Sequence, residues 1–71
     1  MNHARGDDPA SRRILAALAR RNRPYLERDI CSATRLSKYV VRSRCRRLRE
    51  AGLIRDRWVG PNGPYWELEA P

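Results

Sequence analysis

Between Lys38 and Arg49 the chain places six basic residues, Lys38, Arg42, Arg44, Arg46, Arg47 and Arg49, and no acidic one. Guanidinium and ammonium groups at this density are donors for phosphate oxygens and for the acceptor edges of nucleobases. Other chemistry is poorly provided for. The two cysteines, Cys31 and Cys45, lie 14 residues apart and neither belongs to a C-x-x-C pair. The one histidine is His3, and a structural zinc site normally needs four Cys/His ligands. There is no carboxylate pair in an apolar setting, no Ser/His or Cys/His arrangement and no glycine-rich phosphate loop. The expectation is a non-enzymatic chain without cofactor or metal, whose two cysteines serve as small buried hydrophobes rather than as a disulfide.

The whole chain shares the bias. Its 71 residues carry a formal net charge of +8, with a pI near 11.0. A domain this basic calls for a polyanionic partner. A membrane surface is disfavoured, because no apolar run approaches the ~18 residues of a bilayer span and no helix has a bulky interfacial stripe. Met1 is not followed by an apolar h-region, so a cytoplasmic protein is expected.

The plain reading of the basic run is a solvated face. Such a face usually mixes signs, with an acid four residues before a base. Here the only acid of the segment is Glu50, at its far end, and mutual repulsion favours an anion lying opposite.

Several elements must position these residues. Asp8 is a good N-cap and Pro9 a good first helical residue, so a helix starts there. Ile14, Leu15 and Leu18, with Ala17 beside them, form its apolar stripe, and Asn22 and Pro24 stop it. Tyr25 and Leu26 read as a short extended piece able to add a minor strand. A second helix runs from about Glu27 to Thr34, with Ile30, Cys31 and Ala33 inward. Leu36 plugs the corner between helices, and Ser37 caps a third. On that helix Val41, Cys45 and Leu48 recur at i, i+4, i+7 as a buried stripe, and Gly52 ends it in the left-handed conformation. Tyr39, Arg42, Ser43 and Arg46 then lie across the helix axis, flanked by Lys38 and Arg49.

The period changes after Leu53. The runs "LIRDRWV" and "YWELE" alternate around the turn signal "GPNG", which reads as a β-hairpin. Ile54, Trp58, Trp66 and Leu68 form its apolar face, and Arg55 and Arg57 point outward. The expected fold class is mainly α with a small β-hairpin, α+β, in a single domain over residues 8–71 after a disordered leader at 1–7. The hairpin register stays open, because "GPNGP" permits more than one loop length.

The order helix, extended piece, helix, tight turn, helix, hairpin resembles the winged helix-turn-helix family over about residues 9 to 69. The segment "DICSATRLSKYVVRSRCRRLREAGLI" carries the likeness: a short helix, a turn with Leu then Ser, and a long helix ending Ala-Gly-Leu-Ile. Within the class, "LSKYVVRSRCRRLREAGL" is similar to small repressor-like winged-helix proteins of haloarchaeal phages and their hosts. One departure is Arg35, where the family often has Gly; a positive φ there costs an arginine of order 1 kcal/mol.

The resemblance implies a sequence-specific, double-stranded DNA-binding transcriptional regulator, repressor-like. Its recognition helix at 37–51 would enter the major groove, and its wing at 53–68 would lie on the adjacent backbone or minor groove. Arg42 and Arg46 are then the candidates for guanine O6 and N7. Ser43 suits a base or a phosphate, and Tyr39 a thymine methyl, a stacked base or a phosphate. Lys38 suits a phosphate, as does Arg28 at the start of the second helix. Arg55 and Arg57 either reach the minor groove and its phosphates or bridge to Asp56 or Glu67. Arg44 and Arg47 either lie along phosphates or pair with Asp29 or Glu27. Trp58 and Trp66 are core residues rather than a stacking platform. A monomer or weak homodimer is expected, and the alternative function is a winged-helix module for RNA or a protein partner.

Overall fold

The computed structural model describes residues 8–21, 23–58, 60–61 and 63–69, without the side chains of Arg21 and Trp58. The expected leader at 1–7 and the expected burial of Trp58 lie outside these described residues. The elements run α1 (Pro9–Arg21), β1 (Tyr25–Leu26), α2 (Glu27–Thr34), α3 (Lys38–Glu50), β2 (Ile54–Trp58) and β3 (Pro64–Leu68). Three helices thus accompany a small antiparallel sheet of strand order β1-β3-β2, an α+β architecture. The hairpin is part of this larger sheet, since the two-residue β1 pairs Tyr25 with Trp66 and Leu26 with Tyr65.

Each helix begins and ends for a local reason. Asp8 caps α1: its carboxylate accepts the Ser11 N–H at 3.1 Å and the Ser11 hydroxyl at 2.8 Å. In α2 the cap is one-sided, with Asp29 accepting the Leu26 N–H at 3.2 Å. Glu27 and Asp29 also place negative charge at the positive end of the helix dipole. The α2 C-terminus closes on Arg35, at φ 62° and ψ 26°, whose N–H donates to the Cys31 carbonyl at 2.7 Å. Thr34 is buried beside it, donating to the Ile30 carbonyl and accepting from the Leu36 N–H. Ser37 caps α3 through the Val40 N–H at 3.2 Å. The helix ends in a Schellman motif: Leu53 N–H donates to the Leu48 carbonyl and Gly52 N–H to that of Arg49, with Gly52 at φ +79°.

One core joins these elements. Ile14 and Leu18 of α1, Ile30 of α2, Val41, Cys45 and Leu48 of α3, and Ile54, Tyr25 and Trp66 of the sheet are all buried in it. Leu15, Cys31, Leu36, Leu53 and Leu68 pack around its edge. Ala33 is a correction, for it is exposed, and Thr34 takes the inward position. Ile30 and Thr34 lie at i, i+4 on one face of α2, which leaves Ala33 outward, and the Ile30 carbonyl satisfies the buried Thr34 hydroxyl. The hairpin register pairs Ile54 with Leu68, Asp56 with Trp66 and Trp58 with Pro64. Asp56 therefore shares the face of Ile54 and Trp66 but stays exposed on the edge strand β2.

Candidate nucleic-acid interface

The stripe Val41, Cys45, Leu48 is fully buried, and each such side chain contributes about 1.5–3 kcal/mol of burial. Rotation of α3 about its axis is therefore fixed. The opposite face, Tyr39, Arg42, Ser43 and Arg46, is exposed. These four residues line a shallow concavity of about 410 Å³ together with Arg47 and Glu50. Tyr39 is 70% exposed, and the Lys38 ammonium stands 5.4 Å from its ring centroid. Lys38 thus sits at the N-terminal edge of the same face.

A second concavity, of about 520 Å³, lies on the other flank of α3, between that helix, the start of α2 and β3. Arg28, Arg42, Arg46 and Arg49 line it, with Glu27 as its one acid and Leu26, Pro64 and Trp66 as its apolar wall. Arg42 and Arg46 border both concavities. They form the ridge between them, and Arg28 joins from α2 across the turn.

Ion pairing separates the arginines. Arg42 donates through Nε to Glu27 Oε2 at 2.8 Å, and this carboxylate raises the arginine's pKa further. Arg44 turns away from the ridge and donates through Nε to Asp8 at 3.0 Å. This answers the choice posed for Arg44, and its partner is neither Asp29 nor Glu27 but the cap of α1. Asp29 is occupied by its own helix start. Burial works to raise the Asp8 pKa, but the Ser11 hydroxyl and N–H and the Arg44 guanidinium outweigh it and hold it at about 2. Arg47 is exposed on the outer concavity, and among the described residues it has no salt bridge. The same is true of Lys38, Arg28 and Arg46.

Arg49 sits 3.6 Å from Asp56 and 5.9 Å from the Trp66 ring centroid, which ties the end of α3 to the sheet. On the outer face of the hairpin Arg55 bonds Glu67 at 2.6 Å and reaches Glu69 at 3.5 Å, and Arg57 lies 3.8 Å from Glu67. Those bonds raise the Arg55 pKa. Arg55 and Arg57 are therefore charge-balanced locally, and they border neither concavity.

Sequence reasoning missed Glu27 as the partner of Arg42 and Asp8 as the partner of Arg44. The acids were visible, but which arginine each would meet depends on helix crossings. Both cysteines are free thiols. Burial pushes Cys45 up to about 12 and also raises Cys31, so neither is a nucleophile at neutral pH. Among the described residues no group of three or more His, Cys, Asp or Glu side chains could hold a metal ion, and no helix is long and apolar enough to cross a membrane.

No protein-family model, no curated protein and no solved structure matches this chain. The functional reading therefore rests on these residues and their geometry.

Proposed function

We propose that the chain is a winged helix-turn-helix domain that binds double-stranded DNA sequence-specifically, as a repressor-like transcriptional regulator. One observation carries the reading. The face of α3 opposite its buried stripe presents Tyr39, Arg42, Ser43 and Arg46 to solvent, with arginines on a ridge between two concavities. An α-helix about 10–12 Å across fits a major groove about 12 Å wide.

In this reading Arg42 and Arg46 address guanine O6 and N7, and Ser43 a base or phosphate. Tyr39 meets a thymine methyl, a base face or a phosphate. Lys38 and Arg28 take phosphates on either side. Arg55 and Arg57 reach the adjacent backbone or minor groove only by exchanging Glu67 for phosphate, so their contribution is the smaller one. The alternative partners lack support of the same kind. A single-stranded RNA reader needs aromatic platforms, and Trp66 is buried. A protein-binding surface needs an apolar patch, and among the described residues Tyr39 is the only exposed large hydrophobic.

The test is a fluorescence-anisotropy titration of duplex DNA at several salt concentrations. Neutralising about five phosphates gives a slope of log K against log salt of roughly −4 to −5. A slope near zero, or tighter binding to single-stranded RNA than to duplex, overturns the proposal.

A further inference from the structure

The concavity between α2, α3 and β3 holds four arginines and a single carboxylate. That carboxylate projects from the start of α2. Glu27 is the first residue of α2, where the helix dipole favours a negative charge, and its side chain is 30% exposed. Arg42, at 59% exposure, is the more exposed partner.

The contact uses one nitrogen. Glu27 Oε2 meets Arg42 Nε at 2.8 Å. A guanidinium is a rigid planar fork of five donors, with two edges able to make two parallel bonds. One edge pairs Nε with a terminal nitrogen, and the other joins the two terminal nitrogens. With Nε engaged, the terminal edge alone remains for a two-point contact. Arg46, one turn further along the same ridge, has no carboxylate partner among the described residues. The two arginines are therefore inequivalent: the Nε of one is engaged by a carboxylate, and the other has no such partner among the described residues.

We infer that Glu27 is a specificity-determining positioning residue, holding the Nη1/Nη2 edge of Arg42 ready for a bidentate contact with a guanine edge; the inference rests on the DNA-binding reading above. The arrangement has two opposed effects. A carboxylate beside a polyanion weakens binding to any duplex. Holding Arg42 in advance spares rotamer entropy that would otherwise be lost on binding, and this benefit is realised only where a base edge matches the fork. Glu27 thus trades general affinity for discrimination.

The test starts with a preferred duplex selected by the wild-type protein from a random pool, and compares it with a scrambled duplex of equal length. Dissociation constants are measured for wild type, Glu27→Gln, Glu27→Asp, Arg42→Ala and the Glu27→Gln/Arg42→Ala double variant. Glu27→Gln is expected to bind the scrambled duplex about 2–5-fold more tightly, through removal of one negative charge near the backbone. Its ratio of preferred to scrambled affinity falls about 3–10-fold, the range set by freeing one long side chain. Glu27→Asp keeps the charge but withdraws the carboxylate by one methylene, so the ratio falls without tighter scrambled binding. In the Arg42→Ala background, Glu27→Gln leaves the ratio unchanged.

Retention of the wild-type ratio by both Glu27 variants overturns the inference, as does an equal fall in the ratio with Arg42 absent. If Arg42→Ala loses discrimination while the Glu27 variants keep it, this inference alone fails. If the wild-type protein prefers no duplex sequence, the DNA-binding proposal falls and takes this one with it.

Discussion

Lys38 and Arg42 stand four residues apart on α3 and carry the same formal charge, yet their surroundings differ. Lys38 is a flexible ammonium at the helix start, leaning over the Tyr39 ring. Arg42 is a planar fork on the ridge, paired with Glu27 through Nε. A point charge serves phosphate equally well on any sequence, whereas a fork recognises matched acceptors. Lys38→Ala is therefore expected to weaken preferred and random duplexes by similar factors and to make the salt slope shallower by about 1. Arg42→Ala should cost about 1–3 kcal/mol on the preferred site and much less on random DNA. Parallel titrations of the two duplexes check the split, and equal losses for both variants contradict it. Helical spacing sorted the six basic residues by face along the sequence. Their partners were not legible there, because Glu27 and Asp8 reach α3 only through tertiary packing.

The elements are joined by two left-handed residues with opposite suitability. Gly52 ends α3 at φ +79°, and a Cβ there would meet nothing within 4 Å. Gly52→Ala therefore costs backbone conformation alone, about 1 kcal/mol. Arg35 ends α2 at φ 62°, where its side chain is exposed and, among the described residues, makes no ion pair. Replacing it with glycine relieves the left-handed strain but loosens the unfolded chain, for a net gain of about 0.5 kcal/mol. The expected change in Tm is a rise of about 2–4 °C for a domain of this size. Thermal melts of Arg35→Gly and Gly52→Ala should move in opposite directions; a fall for Arg35→Gly would show that its side chain contributes to the fold. Strain at Arg35 was raised by the resemblance, which has a glycine at that position, and its φ of 62° bears it out. The burial of Thr34 in place of Ala33 was missed because threonine is polar, although it lies four residues after Ile30 on the same face.

Over the whole molecule, Asp8 does two things: it caps α1 through Ser11 and holds Arg44 of α3. Its pKa, near 2 in the folded protein against 3.8 ordinarily, makes this a pH-linked clamp. A carboxylate depressed on folding stabilises fully above its unfolded pKa, and that contribution is lost as pH falls through the folded value. Asp8→Asn keeps a capping oxygen but loses the charge. The stability gap between wild type and Asp8→Asn should be constant above about pH 5 and shrink between about pH 4 and 2. Chemical denaturation across that range measures it, and a gap that does not narrow rules the clamp out. Arg44, half-buried on the basic helix, thereby serves the fold and is removed from the count of residues available to an anion.

The order and bounds of the helices, the short strand at Tyr25 and Leu26, the buried stripe of α3 and the exposed face opposite it all follow from the sequence. Caps, helix stops and hydrophobic periodicity act over a few residues, so local chemistry suffices to specify them. The pairing of charges does not follow. Arg42 with Glu27 spans 15 residues and Arg44 with Asp8 spans 36, and such contacts exist only once the helices cross. The same holds for the pair of Asp56 on β2 with Arg49 on α3. Sequence alone determined that α3 would carry a positive face. Tertiary structure decided which of its arginines are held, because a guanidinium takes whichever carboxylate the fold brings within hydrogen-bonding reach.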